Sequence, residues 1–453
     1  MNDTTANTIE LPDSTHPLHE RLARAVETAI ATGRFRPGEQ LPTHRQLAQQ
    51  FSVSIGSVTR AIDTLSARGV VRGEIGRGTF VLEQAGAAPV EGGVIDLTYN
   101  APPPIISLQQ MAAATELANR HALALAHGGY GDLSGTARQR GTVAGWLSAA
   151  RTPLGADEIL LCNGAQQALH LAFATLRETS NLILTESATF PGAIAAAANL
   201  GMTMSPVAHD GEGMRPEALD AALRTTGARI IYTTPVCQNP LGFETGPERR
   251  RALAKVAGQH GAVIVEDDIY GIYAAKGTLT YRELLPAQVI YVTSLSKSLT
   301  PLVRLGVIAP PPALLGAVRK RMRAESWGLP PYVAELATAM LELGMGDEAA
   351  ATLRSEGLAR LDLTRAKLGI AAVPMPHGAP HLWLPMSPLK AEQFARRASE
   401  AGVRITPPTA AQVGDAPVAG ARLCIMAPPS RAVLERALGV LAGILGSDED
   451  VVV

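Results

Sequence analysis

From Pro17 the apolar positions recur at helical spacing: Leu18, Leu22, Val26 and Ile30 fall four apart, and Gly33 closes the run. This spacing predicts a first helix. A turn at Pro37-Gly-Glu-Gln-Leu-Pro42 comes next, then a short helix carrying Leu47, Ala48 and Phe51. Ser54 is a good N-cap for a third helix with Val58, Ile62 and Leu65 on one face and Gly69 at its end. Apolar and polar residues then alternate over 70–72 and 79–82, two short strands around the glycine-rich Gly73-Glu-Ile-Gly-Arg-Gly78. Three helices followed by a hairpin make a winged helix-turn-helix, whose third helix is the one that enters a major groove.

On either side the pattern changes. Residues 1–15 form a polar stretch expected to be a loose tail, and 83–93 lack both a core pattern and large apolar residues, as a linker does. From 94 onward, apolar runs at 159–161, 182–184, 229–232, 262–265 and 289–292 alternate with Ala- and Leu-rich helical stretches. That alternation predicts an α/β domain with a largely parallel sheet. Beyond Pro330 the helices lengthen, which suggests a smaller C-terminal α+β lobe. The expected organisation is a tail (1–15), a winged helix-turn-helix domain (16–82), a linker (83–93) and one large domain (94–453).

The 453 residues are enough for two or three domains, and 46% hydrophobic residues are enough for a large core. A net charge of -1 gives no hint of a nucleic-acid partner. Charge is local instead: between His16 and Leu82, nine arginines stand against five acids, an excess of +4 that suits a phosphate backbone. Cys162, Cys237 and Cys424 have no metal-ligand spacing and are expected to be reduced thiols of a cytoplasmic protein, so no metal site is expected. No apolar run approaches a membrane span, and the N-terminus is too polar for a signal peptide.

Candidate chemistry centres on Tyr291-Val-Thr-Ser-Leu-Ser-Lys297-Ser-Leu-Thr-Pro-Leu-Val-Arg304. A lysine within apolar and small residues loses its proton more easily, which suits an amine that must attack an aldehyde. Ser294, Ser296 and Arg304 suit a phosphate dianion. Gly164-Ala165-Gln166 sits where a strand gives way to a helix, a second place for phosphate. Asp267 and Tyr270 come after the run 262–265, where a carboxylate could pair with a protonated pyridine nitrogen and a phenol could meet a ring hydroxyl. Acids at a strand end can equally be metal ligands or solvated charges. Asn239, in Gln-Asn-Pro-Leu-Gly, could donate to the same ring oxygen. Arg422 lies on an apolar strand-like segment, and an arginine there calls for an anion or a buried ion pair.

Two resemblances join these motifs. The first eighty residues are similar to the GntR-type winged helix, on Gly-Arg-Phe-Arg-Pro-Gly-Glu-Gln-Leu-Pro-Thr-His-Arg, Val-Ser-Ile-Gly-Ser-Val-Thr-Arg and Gly-Arg-Gly-Thr-Phe-Val. This resemblance implies contacts with double-stranded operator DNA from Arg45, Ser54, Ser57, Thr59, Arg60 and Arg77. Many relatives have an arginine where this chain has Ile55. From about Ile95 to Gly446 the chain resembles fold-type I aminotransferases, which implies pyridoxal 5'-phosphate as cofactor. Lys297 would form the Schiff base, Asp267 would meet the pyridine nitrogen, and Tyr270 and Asn239 the ring hydroxyl. Ser294, Arg304, Gly164, Ala165 and Gln166 would hold the phosphate and Phe190 would stack on the ring. Tyr130 would reach the phosphate from a second subunit, and Arg422 would bind an α-carboxylate.

The two together look like the MocR family of transcription regulators. That resemblance implies a head-to-tail homodimer whose large domain senses pyridoxal phosphate, or an amino compound, by aldimine exchange at Lys297. The alternative is a working class I/II aminotransferase with an accessory DNA-binding domain. Asn239, Asp267, Tyr270 and Arg422 are all present, which leaves a residual half-transamination open.

Overall fold

A computed structural model describes residues 17–31, 34–35, 38–67, 70–74, 77–81, 93–125, 132–370, 378–415 and 417–446. The expected tail, most of the linker and Tyr130 lie outside the described residues. Two compact units emerge, one of Met1–Glu91 with Ile106–Ala113, the other of Gly92–Ile105 with Ala114–Val453.

The first unit contains helices α1 (Leu18–Ala31), α2 (His44–Gln50) and α3 (Ile55–Ala67), then strands β1 (Val71–Glu74) and β2 (Gly78–Val81). The strands pair antiparallel, with Val71 opposite Val81. Thr43 caps α2 in a reciprocal bond pair with Gln46, and Ser54 Oγ accepts from the Ser57 amide at the start of α3. One core joins Leu22, Val26, Leu47, Phe51, Val58, Ile62 and Leu65 to Val71 and Val81. Each such side chain contributes roughly 1.5–3 kcal/mol by leaving water. Leu18, expected on the same face, is instead 39% exposed, in the turn of α1 that precedes the core-packed stretch.

In the second unit β3 (Ile95–Asp96) leads to α4 (Leu108–Leu125), which begins among the residues of the first unit, and α5 (Ala137–Ala150). The main sheet and its first helices come next: β4 (Leu160–Asn163), α6 (Gly164–Leu176), β5 (Leu182–Glu186), α7 (Pro191–Asn199) and β6 (Thr203–Val207). A small hairpin, β7 (His209–Asp210) and β8 (Gly213–Met214), precedes β9 (Ile230–Thr233), β10 (Val263–Asp267), β11 (Val289–Ser294) and β12 (Leu305–Ala309). The seven strands lie in the order β4-β12-β11-β10-β9-β5-β6. Every neighbouring pair is parallel except those of β12, which runs antiparallel to β11 and β4. Strands covered on both faces need near-continuous apolar sequence, and β9 and β11 are buried along their length. On one side α6 sends Leu169, Phe173 and Leu176 into a core with Ile230, Val265, Ile290 and Val292.

Topology places the site. Ser294, at the end of β11, faces Gly306, and Leu305, at the start of β12, faces Asn163, the residue before α6. Strand ends and a helix start thus converge on one edge of the sheet. The smaller lobe comprises β13 (Leu382–Pro385), β14 (Val403–Arg404) and β15 (Gly420–Leu423), with helices Met345–Leu368, Pro388–Glu400 and Arg431–Gly446. β13 pairs antiparallel with β15, while β14 pairs with β3, tying the start of the unit to its C-terminal lobe. Among the described residues, no helix is long and apolar enough to cross a membrane.

Candidate cofactor site and nucleic-acid interface

Within the first unit, Arg45 is exposed on α2, and Ser54 and Arg60 are exposed at the start of α3 and one turn on. Ser57 and Thr59 are half-buried between them. Thr59 Oγ1 donates to the Ile55 carbonyl at 3.1 Å and lies 3.3 Å from His44 Nδ1, linking α3 to α2. Ile55 presents an apolar side chain that is 52% exposed, on the helix that reads DNA in this fold. The hairpin is held from α2's side of the unit: Gln40 Nε2 donates to the Arg77 carbonyl at 2.6 Å, and the exposed Arg77 guanidinium lies 5.8 Å from the Phe80 ring centre.

The second site lies wholly within the second unit. The acidic run Glu266-Asp267-Asp268 divides by role. Glu266 accepts the backbone amides of Tyr281 and Arg282, and Asp268 pairs with Arg151 at 2.7 Å and accepts from Tyr291. Asp267 differs: Tyr232 donates to its Oδ2 at 2.9 Å, while Oδ1 is buried with no partner. Burial pushes this carboxyl up to about 7, against the Tyr232 hydrogen bond that favours the anion. Among the described residues no group of three or more acids, histidines and cysteines is placed to hold a metal ion.

Lys297 lies just beyond β11, and its Nζ donates to the Asn100 carbonyl. Burial pulls its pKa down to about 8, helped by the positive charges of Arg304 and Arg422 and opposed by Cys424 and Asp267. Ser294 Oγ accepts from the Ser296 amide at 3.3 Å, and Ser296 Oγ is buried and unpartnered. Gly164 opens α6 at φ +72°, and a side chain there would lie 3.1 Å from the Arg304 guanidinium. A Cβ at Gly306 would overlap the Gly164 carbonyl, so glycine at both places lets this strand pair meet the helix start. No side chain caps α6 among the described residues, and Gln166 Nε2 turns away to the Gly192 carbonyl at 2.7 Å. Phe190 caps α7 and packs against the main core.

From the small lobe comes Arg422, which is 7% exposed. Its Nη1 donates to Asn239 Oδ1 at 2.6 Å, and its Nη2 to the Thr98 carbonyl and Thr406 Oγ1, each at 2.6 Å. Nε is buried and unpartnered. Lys297 and Arg422 are therefore both anchored to carbonyls of the segment 98–100. The three oxygens that Arg422 reaches, from Asn239, Thr98 and Thr406, are all neutral.

Three residues at this site have no signal in the motifs: Asn100, Tyr232 and His381. Asn100 Nδ2 donates to Tyr270 Oη at 2.8 Å and lies 2.7 Å from His381 Nδ1. Only the isolated polar character of Asn100, of His381 in Ala-Pro-His-Leu-Trp-Leu and of Tyr232 at the end of an apolar strand sets them apart in sequence.

These donors suit pyridoxal phosphate: an orphaned carboxylate oxygen for a pyridinium N–H, a buried lysine of lowered pKa, and a glycine-lined helix start beside Arg304 for a phosphate. The fold and the donor set define a domain of the fold-type I aminotransferase class preceded by a winged helix. Residues 93–441 match the family described as Aminotransferase class I and II, and 18–81 match Bacterial regulatory proteins, gntR family. The chain belongs to the aminotransferase class I and II family, and its gntR-family domain makes it a transcription regulator of the MocR type. It is 23% identical to the HTH-type transcriptional regulator YdeF of Bacillus subtilis over 95% of this chain and 94% of that protein. It is 27% identical to the vitamin B6 salvage pathway transcriptional repressor PtsJ of Salmonella typhimurium, over 70% of this chain and 73% of that one. Among solved structures, LysN of Thermus thermophilus, an α-aminoadipate aminotransferase complexed with N-(5'-phosphopyridoxyl)-L-leucine, superposes with a TM-score of 0.69. It covers 82% of this chain and 96% of its own at 23% identity, a likeness of fold.

Proposed function

We propose that the second unit binds pyridoxal phosphate at Lys297 and that binding of an amino compound there alters how a homodimer of this regulator holds its operator. The unpartnered Oδ1 of Asp267 carries the reading, because a buried carboxylate oxygen without a donor calls for one. When bound, pyridoxal phosphate supplies an aldehyde that takes up primary amines and a ring that withdraws electrons once its nitrogen is protonated.

This chain's residues supply the rest. Lys297, with a pKa near 8, keeps roughly a tenth of its amine neutral at pH 7 and so ready to attack. Asp267 holds a proton on the ring nitrogen, Tyr270 and Asn239 donate to the ring oxygen, and Phe190 covers the ring. Ser294, Arg304 and the amides of Gly164, Ala165 and Gln166 bind the phosphate, with Tyr130 from the second subunit. An incoming amine competes with the Lys297 amine for one place. Its carboxylate competes with Asn239, Thr98 and Thr406 for Arg422, whose Nε is already without a partner. The similarity to a vitamin B6 salvage repressor supports a vitamer or an amine as signal. Arg45, Ser54, Ser57, Thr59, Arg60 and Arg77 make the DNA contacts. Any ligand that favours one arrangement of the dimer shifts DNA affinity by its differential binding.

Borohydride reduction of protein loaded with pyridoxal phosphate tests the core of the proposal. The added mass is expected on the peptide containing Lys297; its appearance on other lysines alone would overturn the assignment.

A further inference from the structure

Beneath Tyr270 lies a chain of hydrogen bonds whose proton positions are determined by its last member. The Gln238 carbonyl can only accept, and it lies 3.1 Å from His381 Nε2. That nitrogen must therefore carry a hydrogen. His381 is fully buried, and burial pulls its pKa down to about 3, with the charges of Arg422 and Lys297 acting in the same direction. The imidazole is thus neutral, and Nδ1 is left as an acceptor. Asn100 Nδ2, 2.7 Å away, is the donor to it, and its second hydrogen goes to Tyr270 Oη at 2.8 Å. Turning the amide over would set Asn100 Oδ1 against the lone pair of His381 Nδ1. The tautomer thereby favours one amide orientation, which leaves Asn100 Oδ1 buried and without a partner among the described residues.

Tyr270 Oη already accepts from Asn100, and no second partner for it is found among the described residues. Its own hydrogen is free to be donated. The His381 ring also lies edge-on to the Tyr270 ring, 5.6 Å between centres, with Cys237 Sγ 3.5 Å from Nδ1. Asn100 adds a second tie through its carbonyl, which accepts from Lys297.

We propose that His381, acting through Asn100, is a positioning residue that commits the Tyr270 hydroxyl hydrogen to the ring oxygen of the cofactor. This role rests on pyridoxal phosphate being the group bound at Lys297. A donor on the ring oxygen draws off the negative charge that holds a proton on the neighbouring nitrogen. Loss of that donor therefore raises the pH at which the visible band of the lysine-bound cofactor titrates.

The test is a pH titration of that band in the full-length protein loaded with pyridoxal phosphate. Tyr270→Phe is expected to raise the midpoint by roughly one pH unit, the value of one hydrogen bond. His381→Phe should raise it in the same direction by about half as much, since the phenol remains but is no longer oriented. Asn100→Ser should resemble His381→Phe. His381→Gln, whose side-chain oxygen can accept from Asn100, should return most of the shift. The double variant Tyr270→Phe/His381→Phe should titrate where Tyr270→Phe does, because one residue acts through the other.

A midpoint unmoved by His381→Phe and Asn100→Ser, with the band intact, would overturn the proposal. So would a His381→Phe shift of undiminished size in the Tyr270→Phe background. A parent protein that forms no band would instead remove the cofactor reading, and this proposal with it. Should His381→Phe fail to fold, Asn100→Ser and His381→Gln carry the same comparison.

Discussion

Asn239 Oδ1 accepts a 2.6 Å hydrogen bond from Arg422 Nη1, so the group suited to the ring oxygen and the group suited to a carboxylate already touch. Under the proposed function, a carboxylate binding Arg422 would compete with Asn239 for Nη1, which would couple the two ends of the site.

Arg422→Ala should weaken an amino-acid ligand by roughly 10- to 100-fold, the worth of charged hydrogen bonds lost, while barely changing the matching amine that lacks a carboxylate. Calorimetric titration of the loaded protein with both compounds checks this. Equal losses for the two would show that Arg422 serves packing rather than the carboxylate.

Stability of the cofactor-free protein should depend on pH through Asp267. Its folded pKa, raised to about 7 from an ordinary 3.8, means the folded state binds more protons between those values. The carboxyl thus helps stability below about pH 4 and loses that contribution as pH rises through 7. Asp267→Asn should flatten part of this slope and raise the melting temperature at pH 8, while lowering affinity for the cofactor. Glu186 and Glu266, also pushed up to about 7, keep the remainder of the slope. Thermal melts across pH 4–8 decide it, and an unchanged slope would contradict the assignment.

Lys297→Ala should abolish the visible absorbance of loaded protein. A band that survived unchanged would place the covalent attachment elsewhere.

Arg60→Ala should weaken DNA binding and lower the slope of log affinity against log salt by about one. Its exposed place on α3 leaves the domain core of Leu22, Val58 and Leu65 untouched. An unchanged isotherm would remove Arg60 from the interface.

What could be seen in sequence was local. Lys297, Asp267 and Tyr270 lie at strand ends, where a short apolar run predicts both the strand and the turn at its C-terminal end. β12 was hidden because Leu305–Ala309 is a second apolar run directly after the lysine loop, with nothing in its composition to mark it as antiparallel. Asn100 and His381 are hidden for another reason: 281 residues separate them, and they meet only in the folded chain, where β3 pairs with β14 and β13 with β15. A lone buried histidine carries no spacing by which sequence could pair it. Leu18 shows the same limit on the other side, since periodicity marks a face but not how far along the helix its partners extend.

Ligand-dependent DNA binding through Lys297 is tested most directly by fluorescence anisotropy of DNA from upstream of the gene. It would be titrated with cofactor-free protein, with protein loaded with pyridoxal phosphate, and with Lys297→Ala in both conditions. The expected result is salt-sensitive binding by the parent protein that changes on loading or on addition of an amine to the loaded form, and no such change for Lys297→Ala. Binding that is identical in every state, or a ligand effect that persists without Lys297, would contradict it.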